Sequence, residues 1–182
     1  MFKRMSVLLS GLAMAACLVS FPAAAVDNTK LDAEAQKALA ALIAKEPAAA
    51  GLAKGAKGIL VFPQIVRAGF IIGGEGGDGT LLVNGQPVAH YSDGGLSVGF
   101  QAGGQEFGYV LFFMDDEALK VLSSMDGWSI GVGPTVVVVD KGVAKNLTTK
   151  TVQSGVYAFI FSQKGLMAGM ALKGNKITKI KE

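Results

Sequence analysis

Glycine placement constrains this chain more than any other property. Of its 25 glycines, only Gly11 precedes Gly51. Several recur at one parity within strand-like runs, Gly69 with Gly73 and Gly95 with Gly99 and Gly103. Glycine weakens a strand interior, so repeated glycines on one face imply sharp curvature or close backbone approach. The runs themselves have the period of strands: 59–62, 68–72, 80–83, 87–91, 95–103 and 107–114, then 128–132, 135–139, 156–162, 165–172 and 176–180. Asn84-Gly85 between two of them is a strong two-residue hairpin signal. Gly74-Glu75-Gly76-Gly77-Asp78-Gly79 reads as a glycine-rich turn between strands. The expectation is an α+β fold: a strongly curved, antiparallel, barrel-like sheet preceded by helix, with no linker and no second domain.

The helical part comes first. Residues 27–45 place Leu31, Ala35, Ala38, Leu39, Leu42 and Ile43 along one side and Lys30, Glu34, Lys37, Lys45 and Glu46 along the other. Thr29 followed by Asp32 reads as a capping box. Pro47 ends this helix or opens a second through Lys54, closed by Gly55. Asp115-Asp116-Glu117 starts a short acid-first helix near 115–123, placed well for the helix dipole. Burying Leu31, Leu39, Leu42 and Ile43 is worth roughly 6–12 kcal/mol, at about 1.5–3 kcal/mol each. The domain's own sheet and a bilayer interface both offer that gain. The helix's polar face is nearly neutral, whereas a helix dedicated to anionic membranes is more basic.

The first residues read as an export signal. Lys3 and Arg4 precede an apolar run from Val7 to Val19, and Pro22 precedes Ala23-Ala24-Ala25, an A-x-A cleavage site. The expected boundaries are a signal peptide over 1–25 and a domain over 26–182, with a helical lead-in at 27–54 and a β core at 56–182. Cleavage after Ala25 removes Cys17, the only cysteine, leaving no disulfide or thiol chemistry. Met14-Ala15-Ala16-Cys17 also resembles a lipobox, in which Cys17 would be the lipidated first residue. The expected location is periplasmic or secreted. Losing Lys3 and Arg4 takes the 17 basic residues to 15 against 14 acidic. Eight acids and one base lie between Glu75 and Asp126, and eight lysines and one acid lie from Lys141 onward. Such asymmetry can steer an anionic partner, and is more often a solvated surface.

Motifs that look catalytic lack their context. Gly95-Leu96-Ser97-Val98-Gly99 matches a nucleophile elbow, but strand continues beyond it and His90, the only histidine, precedes Ser97. Residues 74–79 match G-x-G-x-x-G, yet strand follows where a phosphate loop needs a helix, and Glu75 and Asp78 repel phosphate. The acids lack EF-hand spacing, so no metal or cofactor is expected. His90 beside Tyr91 reads as a structural hydrogen-bonding residue. Asn146-Leu147-Thr148 fits a glycosylation pattern that a bacterial-type export signal makes coincidental. No aromatic ladder is interleaved with basic residues, so nucleic acid is not an expected partner.

The stretch from Ala56 through Phe62-Pro63 to Arg67 and Gly73-Gly74 resembles the opening signature of the SYLF domain family. Further similar pieces follow in order: 76–83, 99–105, 112–119, 127–131, 157–162 and 164–169. The resemblance implies non-enzymatic binding of anionic phospholipid, with phosphoinositide headgroups the best-known ligands. It attributes membrane contact to an amphipathic helix ahead of the core and to basic residues. On that basis Lys30, Lys37, Lys45, Lys54, Lys57 and Arg67 are expected at headgroups, Arg67 standing where the signature usually has a basic residue. Leu31, Leu39 and Leu42 are expected to enter the interface. Some members bind actin, which an exported protein would not meet. A rival of a different class is an envelope structural or stress protein binding a protein along a sheet edge. Its candidate edge is the C-terminal strand with Lys173, Lys176, Lys179 and Lys181, although edge lysines also block aggregation.

Overall fold

The computed structural model describes residues 27–123, 126–139, 143–144, 147, 152, 155–164, 172 and 174–181. The leader with Cys17, most of the run at 165–172, and Lys173 lie outside them. Two helices open the chain, α1 (Asn28–Lys45) and α2 (Pro47–Gly55). A long ribbon of β1 (Gly58–Val83) and β2 (Gln86–Phe113) follows, then α3 (Asp116–Lys120) and a 3₁₀ turn (Val121–Ser123). Four shorter strands complete the order: β3 (Trp128–Ser129), β4 (Val136–Val138), β5 (Val156–Lys164) and β6 (Lys176–Lys179). This is an α+β fold with a strongly curled, half-barrel sheet.

Asp27 caps α1 by accepting from the Lys30 backbone N–H at 3.3 Å. The expected Thr29–Asp32 box is not the cap, because Asp32 turns its carboxylate towards the sheet. Pro47 occupies the first turn of α2, where its missing N–H costs nothing. The hairpin tip is as expected: Asn84 and Gly85 have φ of 52° and 77°, the left-handed pair a two-residue connection requires.

The six short runs expected before residue 115 are two continuous strands. Residues 74–79 are not a turn but lie inside β1, paired with residues 91–96 of β2. Register shifts between Phe62 and Ile65, and between Gly69 and Ile71, let the ribbon curl without losing its ladder. Pro63 sits in the first shift, where a residue without an N–H is tolerated. Curling brings the far half of β1 onto its near half. A Cβ on Gly79 would stand 2.6 Å from the Val61 carbonyl oxygen, so only glycine permits this approach.

β5 pairs with the C-terminal half of β2 and β6 with Tyr91–Gly94 in its other half. The sheet order is β3-β6-β2-β5-β4, with β1 also on β2. The sheet is not wholly antiparallel, since β4 runs parallel to β5. Nor is β6 an edge: Lys176 and Ile177 pair with β3 on one side and β2 on the other. The expected strand at 128–132 stops at Ser129, and Gly131 follows in the left-handed region at φ 98°.

Two cores lie on opposite faces of the sheet. Leu60, Phe62, Tyr109, Leu111 and Phe113 point inside the curl with Tyr91, Trp128 and Ile177. Val61, Val110 and Phe112, one residue out of step, meet Ala35, Leu39, Leu42, Ala49 and Leu52 of the helices. Period-two alternation thus feeds one core from each face, which is why 107–113 is buried at every position.

Candidate functional site

The helical lead-in positions most of the side chains expected to bind. Leu31, Leu39 and Leu42 are buried on the sheet side of α1. Leu39 and Leu42 pack in a core that includes Phe112, Tyr157 and Phe159. The apolar stripe is therefore spent on the domain's own sheet. A polar clasp adds to it. Asp32 Oδ1 accepts from the Thr80 hydroxyl at 2.9 Å and lies 2.9 Å from His90 Nε2. Thr80 and His90 face each other across the ribbon, so one helical carboxylate grips both strands near the hairpin tip. His90 is structural here, as its sequence context suggests.

The lysines lie on the outer side. Lys30, Lys37, Lys45, Lys54 and Lys57 are all exposed. At 100° per residue, Lys30, Lys37 and Lys45 fall within about 80° of one another, centred about 120° from the middle of the buried stripe. Lys30 has Glu34 as an i,i+4 neighbour at 3.8 Å. Pairs so exposed contribute little and leave the ammonium available. Arg67 does not join this group. It is part-buried on β1, its guanidinium paired with Glu75 and placed over the Phe107 ring at 5.5 Å. Five of the six cations are thus exposed, in or just after the helical lead-in, and the sixth is committed to a part-buried ion pair.

The features resembling catalytic motifs are strand. Residues 95–99 lie inside β2 and 74–79 inside β1, so the backbone has neither an elbow nor a phosphate loop. Among the described residues, no group of three or more His, Cys, Asp or Glu is placed to hold a metal ion. No described helix is long and apolar enough to cross a membrane.

Sequence reasoning missed a second polar cluster, inside the curl. Glu75, Asp93 and Asn175 are buried there at 7%, 2% and 3% exposure. Parity held the signal. Asp93 follows Ala89 and Tyr91 on the inward face of β2, and Glu75 precedes Leu81 on the inward face of β1.

Residues 94–182, beginning within β2, match the family model described as Ysc84: Las17-binding protein actin regulator. Over those residues, just under half of the chain, the match is consistent with a SYLF-family domain. SYLF domains are a binding family, linked to lipids and to actin regulators, rather than an enzyme family. The matched segment contains the end of β2, α3 and β3 to β6. Lys30, Lys37, Lys45, Lys54, Lys57 and Arg67 precede it. No curated protein matches the chain.

Proposed function

We propose that this protein is a non-enzymatic binder of anionic phospholipid, phosphoinositides included, and that it docks by charge through Lys30, Lys37, Lys45, Lys54 and Lys57. The observation that carries the reading is the division of α1. Its apolar stripe is used up by the sheet, while three exposed lysines cluster on a side turned away from it. A surface of that kind suits a dense negative headgroup layer and needs no insertion. Each lysine near an anionic surface is worth about 1 kcal/mol, so five give useful but reversible attachment. The reading also takes the protein to be exported, by a leader ending at Ala25 or an anchor at Cys17. Mass spectrometry of the N-terminus distinguishes the two.

The test is co-sedimentation of the full chain with vesicles of anionic and of zwitterionic lipid, the latter setting the baseline. Reversing Lys30, Lys37 and Lys45 to glutamate should weaken the anionic component by about 100-fold, at 1.4 kcal/mol per tenfold. Added salt should weaken wild-type binding in the same direction. Equal pelleting of wild type and variant on anionic vesicles would remove the site. Protein binding is the second reading, favoured by the family's description as a Las17-binding actin regulator. Of its expected edge at β6, Lys176 and Ile177 are already paired on both sides, which leaves such a partner only Thr178 and Lys179 of that strand.

A further inference from the structure

The buried cluster inside the curl lies outside the lysine surface proposed above, and its charges among the described residues do not balance. Arg67 and Glu75 come from β1, Asp93 and Tyr109 from β2, and Asn175 immediately precedes β6. The Arg67 guanidinium satisfies Glu75 through Nε and Nη2. Asn175 donates its amide to Asp93 Oδ2 at 3.0 Å. That leaves Asp93 Oδ1 and the Tyr109 hydroxyl, both buried and without a well-formed hydrogen bond among the described residues; the two face each other, and the hydroxyl offsets part of the cost of a charge on Asp93. The cluster thus holds two carboxylates and one guanidinium, which Glu75 takes. Among the described residues the other elements supply no compensating charge: β6 turns Lys176 and Lys179 to solvent, and β3 contributes only Trp128 and Ser129. Tyr91 on β2 points its hydroxyl towards the Leu122 carbonyl at 3.4 Å, and Asp78 on β1, an odd number of residues from Glu75, lies on the other face. An uncompensated buried charge is costly, and taking up one proton removes it.

We propose that this cluster is a proton-dependent latch, in which a proton carried by Asp93 secures the C-terminal strand β6 on the ribbon and its loss loosens that strand. Asp93 pairs with Ile177 of β6 along the backbone and with Asn175 through its side chain, so its ionisation acts on both. Asn175 in turn accepts from the Ile130 N–H at 2.8 Å, extending the hold to the segment after Trp128. Burial is the main force raising the Asp93 pKa from 3.8 to about 6, the Asn175 hydrogen bond opposes it, and the Glu75 charge adds to it. A raised folded-state value means stabilisation that is complete below the unfolded value and lost as pH rises through the folded one. The window therefore runs from about 4 to about 6, and two pH units correspond to about 100-fold in the opening equilibrium.

Trp128 is the only tryptophan and pairs with Ile177, so it reports on β6 directly. In the full chain, its fluorescence and the amide exchange of residues 177–179, corrected for intrinsic rate, should show β6 opening about 100-fold more at pH 7.5 than at pH 4. Asp93→Asn, neutral at both values, should flatten that dependence. The same pH dependence in wild type and Asp93→Asn would overturn the latch. Should Asp93→Asn fail to fold, carbon-13 titration of the wild-type Asp93 carboxyl decides: a midpoint near 6 sustains the proposal and one near 4 ends it. Both readouts are independent of lipid, so the latch and the lipid site fail separately.

Discussion

Asp115 fastens two elements with one carboxylate. Its Oδ1 accepts from the Ala118 N–H at 2.7 Å, capping α3, and its Oδ2 accepts from the Gly155 N–H at 2.7 Å, fixing the start of β5. Those hydrogen bonds, the one from Ala118 first, hold its carboxyl below the usual aspartate value. Asp115→Ala should cost about 1–2 kcal/mol in urea unfolding, the upper part of the range for a lost cap. Because the folded value is depressed, this stabilisation is present above pH 3.8 and lost as pH falls below it. Wild type should lose stability there, and Asp115→Ala should lose less. Gly79 gives a second residue-scale test. An added methyl would meet the Val61 carbonyl and the Phe62 ring at 2.6 Å, so Gly79→Ala should destabilise by about 1–3 kcal/mol. Gly94→Ala, with nothing within 4 Å, should stay within about 0.5 kcal/mol of wild type. That glycines mark close approach was legible from their parity. Which backbone approaches which was not, because it depends on where the ribbon curls.

At the scale of elements, α1 shows where sequence reasoning succeeds and where it stops. Its span, its apolar stripe and the Pro47 restart are all readable from periodicity and capping chemistry. Asp32 was misread, because an acid three residues after a threonine satisfies the capping-box pattern whether or not it caps. The residue it grips, His90, is 58 positions away, and no local pattern reports that distance. Strand lengths failed for a related reason. Pro63 and the glycines of 73–79 look like breaks in isolation, but a continuous partner strand supplies the ladder that their own propensity does not. The inward acids escaped notice because breaking β1 and β2 into short runs hid their parity. Asp32→Ala should leave the buried Thr80 hydroxyl without its acceptor, costing about 1–3 kcal/mol. It should speed amide exchange in α1 more than in β5. Asp32→Asn keeps an acceptor oxygen and should cost less. Equal exchange in α1 for Asp32→Ala and wild type would show that the clasp does not hold the helix.

For the whole molecule, the arrangement of charge and packing decides how it meets a membrane. The acid-rich stretch from Glu75 to Asp126 is not all surface, since Glu75 and Asp93 are interior. The outward field is thus less acidic there than the sequence suggests, while Lys176, Lys179 and Lys181 remain exposed. Two docking modes are physically distinct. In one, α1 stays on the sheet and presents its lysines; in the other it swings out and inserts Leu31, Leu39 and Leu42. Release forfeits roughly 5–9 kcal/mol of burial for three leucines, which a bilayer interface returns at about the same rate. Insertion therefore gains little from those leucines and gives up the Asp32 contacts with Thr80 and His90. Charge docking with the helix in place has no such loss. In anionic bicelles, the methyl resonances of Leu39 and Leu42 should keep the ring-current shifts set by Phe112, Tyr157 and Phe159. The ammonium-bearing carbons of Lys30, Lys37 and Lys45 should move instead. Loss of those ring-current shifts on binding would mean that α1 leaves the sheet, and the leucine stripe would then be part of the lipid site.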